Sequence, residues 1–280
     1  MQSDVEKVIH VDFVEANGAR LAYVDSGRRD AEAFLLSHSL FFSHAMFNPL
    51  AALLNAAGYR TIAFDHRGQG DSSPAANRDD LSMDNLAEDG AALIQALGIG
   101  PVHAVGNSLG GFVTLRLAAR HPELVRSVTV LGSSCEQEYK LAELAPLVDR
   151  LGKEGGAPVI DALMYIMFGD ASLEAGGPMI DEWLAYMSAL GPSIGDCAYQ
   201  VIHRGRIYEE LAGCPVPVLA IAGEQDHAYP QPISGKNIAE ASGGRDATIA
   251  GAGHSVALEK PDEVARLLVE HARRSVAAPR

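Results

Sequence analysis

Short, continuous apolar runs alternate with amphipathic helical patterns along most of this 280-residue chain. An unbroken run of Val, Ile, Leu and Ala is typical of a strand covered on both faces, whereas a half-exposed strand alternates with polar residues. Such strands separated by helices predict an α/β fold with a mostly parallel sheet and helices on both faces. The sequence predicts eight strands, over residues 8–14, 21–25, 34–37, 61–64, 102–105, 127–131, 216–222 and 247–249.

Local signals mark where turns and helices begin and end. Asn17-Gly18, between the first two predicted strands, is typical of a two-residue hairpin turn, so the sheet should open with an antiparallel pair. In the helix predicted over 81–97, Ser82 is a suitable N-cap and Gly98 supplies the C-terminal turn. Pro261 should lie near the start of the last helix, predicted over 262–272.

Residues 136–213 break the alternation, because helical patterns separated by Gly and Pro replace any strand pattern there. The single tryptophan, Trp183, lies in this stretch. We expect a helical cap inserted after the sixth strand. Residues 136–213 would then form the cap, and residues 1–135 and 214–280 the core domain.

A Gly-x-Ser-x-Gly sequence, centred on Ser108, stands between a predicted strand and a predicted helix, in the segment VHAVGNSLGG at 102–111. A serine on a turn this sharp adopts strained backbone angles, and the flanking glycines lack the side chains that would collide there. The hydroxyl would be presented at a helix N-terminus, whose free N–H groups favour negative charge. Strand, turn and helix together predict a nucleophile elbow.

A base and an acid follow downstream in the order that such an elbow requires. A serine hydroxyl is a poor nucleophile until a base takes its proton, and an acid must orient that base. Asp226 stands in the loop after the strand at 216–222, and His254 in a glycine-rich loop before the last helix. Glu136, just after the sixth strand, is an alternative acid.

Residues 65–72, DHRGQGDS, are similar to the D-x-R-G-x-G-x-S turn of α/β-hydrolase-fold enzymes. With the three loops above, the chain resembles the capped serine hydrolases of this superfamily: the group of 3-oxoadipate enol-lactonases, carboxylesterases and C–C hydrolases. The resemblance implies an α/β-hydrolase fold with Ser108 as nucleophile, His254 as general base and then acid, and Asp226 as the orienting carboxylate.

An oxyanion hole requires two N–H donors aimed at the developing negative oxygen. The backbone N–H of Leu109, the residue after the nucleophile, should be one of them. The resemblance implies Leu40 as the second donor, in the loop SHSLF at 37–41. Ser39 replaces the glycine that family members commonly have there, and bacterial 3-oxoadipate enol-lactonases resemble the chain in carrying Asn-Ser-Leu, which favours a lactone.

Four residues are candidate substrate-binding residues: His38, Phe41, His44 and Trp183. Phe41 and His44 follow the oxyanion loop, and Trp183 lies in a cap that would wall an apolar pocket above the serine. His38 also admits a structural role in hydrogen-bonding the loops around the site, and His44 one in helix packing.

The composition argues against several other functions. Lys and Arg number 22 and Asp and Glu 36, so the net charge is −14, whereas nucleic acids and anionic membranes bind clustered positive charge. Neither a metal motif of the H-E-x-x-H type nor a G-x-G-x-x-G after a strand occurs, so we expect no metal and no cofactor.

The cellular setting follows from three further features. The three cysteines suggest no disulfide framework, residues 1–7 show no signal-peptide pattern, and no apolar stretch reaches the roughly 18 residues of a membrane span. We therefore expect a soluble, cytoplasmic protein with a small-molecule substrate, with no nucleic-acid or membrane partner. A homo-oligomer is left open.

The predicted function is a serine hydrolase that cleaves an ester or lactone bond of a small, partly apolar molecule through an acyl-enzyme. One alternative is a C–C bond hydrolase of meta-cleavage-type diketones that uses the same three residues. An alternative from another class is a ligand-binding receptor with slow turnover.

Overall fold

The computed structural model describes residues 10–277, which contain one eight-stranded sheet. The strands are β1 (Asp12–Ala16), β2 (Ala19–Asp25), β3 (Ala33–Ser37), β4 (Arg60–Phe64), β5 (Val102–Asn107), β6 (Val125–Leu131), β7 (Val218–Gly223) and β8 (Arg245–Ile249). Their order across the sheet is β1-β2-β4-β3-β5-β6-β7-β8. Only β2 runs antiparallel to its neighbours β1 and β4, so the predicted mostly parallel sheet is confirmed.

Two sequence predictions concern the start of the chain. The first strand was predicted from residue 8, but residues 8 and 9 lie outside the described residues. Residues 1–7, for which the sequence predicts no signal peptide, also lie outside them. The hairpin itself is confirmed, because β1 pairs with β2 around Asn17 and Gly18, whose φ angles are 48° and 71°.

Helices cover both faces of the sheet. They are α1 (Asn48–Ala56), α2 (Met83–Leu97), α3 (Leu109–Arg120), α4 (Leu141–Glu154), α5 (Ile160–Met167), α6 (Asp170–Ala175), α7 (Pro178–Ser188), α8 (Ile194–Ile202), α9 (Tyr208–Ala212), α10 (Lys236–Ser242), α11 (Val256–Glu259) and α12 (Pro261–Ala277). Single 3-10 turns lie at His44–Phe47, Arg78–Leu81, Pro122–Leu124 and Ala157–Val159.

The predicted signals act on α2 as expected. The Ser82 hydroxyl accepts a hydrogen bond from the Asn85 N–H, which satisfies one of the free donors of the first turn. Gly98 ends the helix at a φ of 62°, a conformation that glycine adopts without steric cost. The predicted helix over 81–97 instead begins at Met83, because Leu81 closes the preceding 3-10 turn.

Alternate residues of the central strands point into two different apolar cores. Phe34 and Leu36 of β3 belong to one core, and Leu35 between them belongs to the other. This is the period of two that a strand imposes on its side chains. Both faces of β3 are therefore buried, in agreement with the continuous apolar runs of the sequence.

Between β6 and β7 the described chain forms the six helices α4 to α9 and no strand. We refer to residues 136–213 as the cap segment. Trp183 of this segment packs against Phe42 of the core, with ring centroids 4.6 Å apart. The division into separate core and cap domains stays a prediction. None of the helices within residues 10–277 combines the length and the apolar character that a membrane crossing requires.

Candidate active site

Ser108 lies between β5 and α3, at the carboxyl end of the parallel strands. Its φ of 51° and ψ of −112° lie outside the regions that residues with side chains ordinarily adopt. The Ser108 N–H donates to the Leu131 carbonyl oxygen over 2.9 Å, and its own carbonyl accepts from Ser133 Oγ over 2.9 Å. Such strain persists only where the surrounding structure enforces it, and it is frequent at catalytic sites.

The two glycines of the Gly-x-Ser-x-Gly sequence are required by close backbone contacts. A Cβ on Gly106 would collide with the carbonyl of Gly110, and a Cβ on Gly110 would collide with the carbonyl of Ser37. The first contact lets α3 start directly above β5, and the second lets it press against β3. The structure therefore has the sharp strand–turn–helix that the sequence predicted.

His254 and Asp226 lie together at the same end of the sheet. Asp226 follows β7, His254 follows β8, and both side chains are almost completely buried. The Nδ1 atom of His254 lies 3.0 Å from each carboxylate oxygen of Asp226. Asp226 Oδ1 also accepts from the N–H groups of Ala228 and Tyr229, both at 2.8 Å. The alternative acid, Glu136, instead accepts from the side chains of Tyr208 and Asn237.

Asn107 and Gly132 position the His254 loop. Asn107 Nδ2 donates to the His254 carbonyl oxygen over 2.9 Å, which ties this loop to the residue before Ser108. Gly132, with a φ of 50°, directly follows β6. A Cβ on it would lie 2.6 Å from the His254 carbonyl oxygen and 3.1 Å from Oδ2 of Asp226. A glycine is therefore needed for the pair to sit this close to the sheet.

A mostly apolar cavity of about 280 Å³ joins the sheet end to the cap segment, and we refer to it as the inner cavity. Ser108 and His254 both line it. Within the described chain no hydrogen bond joins their side chains, and in unliganded enzymes such contacts are often long and tighten only on binding. The cap contributes Leu144, Leu147, Val148, Ile166, Val201 and Ile202 to its walls. The exposed side chains of Glu143 and Tyr165 mark its opening to solvent.

The two predicted oxyanion donors have free N–H groups. Within residues 10–277 the backbone N–H groups of Leu40 and Leu109 donate to no protein acceptor. Leu40 lines the inner cavity, and Leu109 is the first residue of α3, where an N–H group has no partner within the helix. Both groups are thus available to an oxygen of a bound molecule.

Of the four predicted substrate-binding residues, only Phe41 lines the inner cavity. His38 does not, because its Nδ1 donates to the Ser39 carbonyl oxygen and its Nε2 accepts from the His66 N–H, in a fully buried position. His38 therefore lies outside the lining of the inner cavity, and its contacts are those of the structural role that the sequence also allowed.

His44 and Trp183 also lie outside the lining of the inner cavity. The His44 ring turns away to Asp65, with its Nδ1 atom 3.0 Å from Oδ1 of that carboxylate. Trp183 packs its ring against Phe42 and Tyr186, with ring centroids 4.6 Å and 5.2 Å away. Both side chains support the walls of the site without reaching the inner cavity.

Asp65 organises the loop over 65–72. Its Oδ1 accepts from the backbone N–H of His44 over 2.6 Å, and its Oδ2 accepts from the Asp71 N–H over 2.9 Å. Burial raises the pKa of this carboxyl group, but the hydrogen bond from His44 and the neighbouring histidines outweigh burial and lower it below its ordinary value. Burial likewise opposes a charged His44, yet Asp65 raises the pKa of that ring. The loop is therefore held by hydrogen bonds to the buried Asp65 carboxylate.

Tyr229, Glu138 and Arg204 form a buried network beside the pair that the sequence analysis missed. The Tyr229 hydroxyl donates to Glu138 Oε2 over 2.6 Å, and Arg204 Nη1 donates to the same oxygen over 3.0 Å. Burial raises the pKa of Glu138, but the charge of Arg204 and the Tyr229 hydrogen bond lower it overall. The Tyr229 ring lies 5.5 Å from the His254 ring, so the network supports the histidine from one side.

Of the residues around the His254–Asp226 pair that the sequence analysis missed, only Tyr229 and Gly132 carry a signal in the sequence. An Asp side chain often accepts hydrogen bonds from the backbone N–H groups two and three residues later and so forms a turn. Such a turn at Asp226 would include Tyr229, three residues later. Gly132 stands at the end of a strand, where glycine often marks close backbone approach. Glu138 and Arg204 carry no such mark, because each is defined by a partner far away in the sequence.

The comparisons with known proteins agree with this fold. A family model described as "alpha/beta hydrolase fold" matches residues 32–151. A Mycobacterium tuberculosis protein named "Putative non-heme bromoperoxidase BpoC" is 31% identical over 262 residues, which cover 87% of this chain and 94% of that protein. The chain belongs to the α/β-hydrolase fold family. The fold class and the family predicted from sequence are confirmed, and a hydrolase role is supported.

Two further likenesses are to enol-lactonases. The 3-oxoadipate enol-lactonase 1 of Acinetobacter baylyi is 26% identical over 211 residues, 75% of this chain and 77% of that protein. The crystal structure of the enol-lactonase from Burkholderia xenovorans LB400 matches with a TM-score of 0.86 at 23% identity, covering 94% of this chain and 100% of that chain. The structural match shows a shared fold over nearly the entire length.

Proposed function

We propose that the protein is a serine hydrolase that cleaves an ester or lactone bond of a small, partly apolar molecule. Ser108 is the nucleophile, His254 the general base and then acid, and Asp226 the orienting carboxylate. The observation that carries the proposal is that the strained Ser108 and the His254–Asp226 pair meet at one mostly apolar cavity. The mechanism uses no cofactor.

The first half of the reaction forms an acyl-enzyme. The Asp226 carboxylate accepts a hydrogen bond from the N–H at His254 Nδ1, so Nε2 is the nitrogen that takes a proton from the Ser108 hydroxyl. Ser108 Oγ attacks the carbonyl carbon as that proton leaves. The N–H groups of Leu40 and Leu109 donate to the resulting oxyanion, and each such donor contributes roughly 3 kcal/mol to the stability of the transition state.

Collapse of the tetrahedral intermediate completes the acyl-enzyme, and water then releases the acid. His254 returns the proton to the leaving oxygen, and the C–O bond of the tetrahedral intermediate breaks. In a lactone this oxygen stays attached to the acyl chain, so the product is one ring-opened acid. In the second half His254 takes a proton from water, whose oxygen attacks the acyl carbonyl. The bond between Ser108 Oγ and the acyl carbon then breaks as His254 gives this proton to Oγ, which releases the acid and restores the free enzyme.

Substrate class is supported by the cavity and by the relatives. Most of the side chains that the cap segment contributes are aliphatic, although Glu138, Lys140 and Glu143 also line the inner cavity. This mostly apolar surface favours an apolar acyl group over a charged one. The enol-lactonase likenesses favour a lactone, and Ser39 in the oxyanion loop agrees with them. The name of the mycobacterial relative makes hydrogen peroxide a competing acceptor of the acyl group to include in the assays.

The test is hydrolysis of p-nitrophenyl butanoate and a panel of lactones by the wild type and the Ser108→Ala variant. We expect turnover by the variant to fall by at least about 10³-fold while the fold is retained. Ser193→Ala, the same change at an exposed serine of the cap segment, is the matched control. Labelling by a fluorophosphonate should attach one group, at Ser108.

Three outcomes would contradict the proposal. Near-normal turnover by Ser108→Ala would show that Ser108 is not the nucleophile. Cleavage of a vinylogous diketone without ester or lactone hydrolysis would favour the C–C hydrolase alternative. A single stoichiometric burst with no further turnover would favour the receptor alternative.

A further inference from the structure

A second space lies directly beside the inner cavity. It is a groove of about 590 Å³ on the surface of the cap segment, and we refer to it as the outer groove. Val148 of α4 and Ile202 of α8 line both spaces. These two side chains therefore form the partition between the inner cavity and the outer groove.

The partition is tight because α4 and α8 are in backbone contact. A Cβ on Gly195 of α8 would collide with the Cα of Gly152 of α4, so only glycine allows the helices this close. Val148 lies one helical turn from Gly152, and Ile202 lies two turns from Gly195. Both are β-branched, so their side chains have few rotamers in which to swing aside.

The two sides of the partition differ in chemistry. On the inner side, Leu147, Ala198 and Val201 offer only apolar surface. On the outer side, charged side chains such as Asp149 and Lys153 line the groove and meet solvent. An alkyl chain that extends from an ester carbonyl at Ser108 thus finds apolar contacts up to the partition, and beyond it lies only the outer groove with its charged, solvent-exposed side chains.

We infer that Val148 and Ile202 set the maximum length of the acyl chain that the enzyme accepts. The inference rests on the proposed function, since it takes the acyl group to be bound in the inner cavity with its carbonyl at Ser108. Short acyl chains end before the partition. Longer chains are rejected because they would have to displace two stiff side chains held by a close helix contact.

The test is the ratio of kcat/KM for p-nitrophenyl decanoate to that for p-nitrophenyl butanoate. In the Val148→Ala/Ile202→Ala variant we expect this ratio to rise by about tenfold or more, because each additional buried methylene favours binding about fourfold. Val201→Ala is the matched control, since Val201 lines the inner cavity beside Ile202 but not the outer groove. The ratio for this control should change by no more than about twofold.

Two results would overturn the inference. An equal rise in Val201→Ala would mean that cavity size alone matters, and an unchanged ratio in the double variant would mean that the partition does not limit chain length. Val148→Ala alone keeps the test valid if the double variant fails to fold, because Val148 is only half-buried. This single variant should give a rise in the ratio between those of the wild type and the double variant.

Binding measured without catalysis separates this inference from the proposed function. In a Ser108→Ala background, calorimetry with sodium decanoate should show about tenfold tighter binding when Val148 and Ile202 are both alanine. Absence of this tightening would overturn the inference. A wild type that hydrolyses neither ester would overturn the proposed function alone, and the calorimetry would still decide the role of the partition.

Discussion

Two buried histidines at opposite ends of the sheet show how differently those ends use the same side chain. His254 lies at the carboxyl end and His103 near the amino end, in β5, and both are shielded from solvent. His254 places Nδ1 against the Asp226 carboxylate and lines the inner cavity. His103 places Nδ1 2.8 Å from Ser127 Oγ, and its Nε2 has no hydrogen-bond partner within residues 10–277.

The difference teaches that burial alone does not make a histidine a base. Burial lowers the pKa of His103 to about 4, with smaller contributions from Arg126 and His271, so this ring stays neutral and acts as packing. His254 has what His103 lacks: a carboxylate within hydrogen-bond distance that orients the ring, and an open space beside the other nitrogen. The carboxylate nearest to His103, that of Glu32, lies 3.8 Å from its Nε2, beyond hydrogen-bond distance. Three predictions test this comparison.

The largest effect is expected for Asp226→Asn. The amide would no longer hold the proton on His254 Nδ1, so the ring would present the wrong tautomer to Ser108. We expect kcat for p-nitrophenyl butanoate to fall by about 10⁴-fold with little change in stability. Asp246→Asn, at an exposed acid of β8, is the control and should keep its activity. A loss below tenfold in Asp226→Asn would show that the carboxylate is not the orienting group.

A smaller effect is expected for Gly132→Ala. The new Cβ would press on the His254 loop and on Asp226, and a displacement of about 1 Å in a catalytic group costs about 10²-fold in rate. Gly98→Ala is the matched control, because Gly98 also has a positive φ but a Cβ there would meet no atom within 4 Å. It should lose about 1 kcal/mol of stability and no activity. Equal kcat/KM in the two variants would contradict the positioning role of Gly132.

The smallest effect is expected for His103→Gln, and it concerns stability. Because the folded-state pKa of His103 is about 4, below its ordinary value of 6.5, the unfolded chain binds a proton more readily between these values. His103 therefore destabilises the fold progressively as the pH falls through this window. Between about pH 7.5 and pH 5 the wild type should lose about 2 kcal/mol more of its unfolding free energy than the variant.

Urea unfolding of both proteins at the two pH values measures this difference. Their kcat at neutral pH should agree within about twofold, since His103 is remote from the inner cavity. An identical pH dependence of stability would refute the assignment of a neutral, buried His103. A large loss of activity in the His103→Gln variant would contradict the contrast drawn between His103 and His254.

Much of this architecture was predictable from local sequence. The glycines around Ser108, the Ser82 cap and the Gly98 turn each act on neighbouring residues, where backbone sterics and single hydrogen bonds decide the conformation. The places of Asp226 and His254 were predictable for a related reason. Both follow strands of a parallel sheet, and the carboxyl ends of such strands meet at one edge.

One cause explains why three of the predicted substrate-binding residues do not line the inner cavity. His38 and His44 follow the strand that leads into the oxyanion loop, so their sequence position suggested contact with substrate. Their ring directions are instead set by His66 and Asp65, which come from the end of β4. Trp183 was expected to wall the cavity because it lies in the cap segment, but its neighbours there turn it towards Phe42.

The sequence by itself determined the parallel sheet, the strained turn at Ser108 and the loops that carry Asp226 and His254. Each of these follows from forces that act over a few residues: chain sterics, capping and the period of apolar side chains. Only the tertiary structure decided that Gly132 lies under the His254–Asp226 pair and that Val148 and Ile202 separate two spaces. Those contacts join residues far apart in the chain, and close packing fixes them only once all the helices are in place.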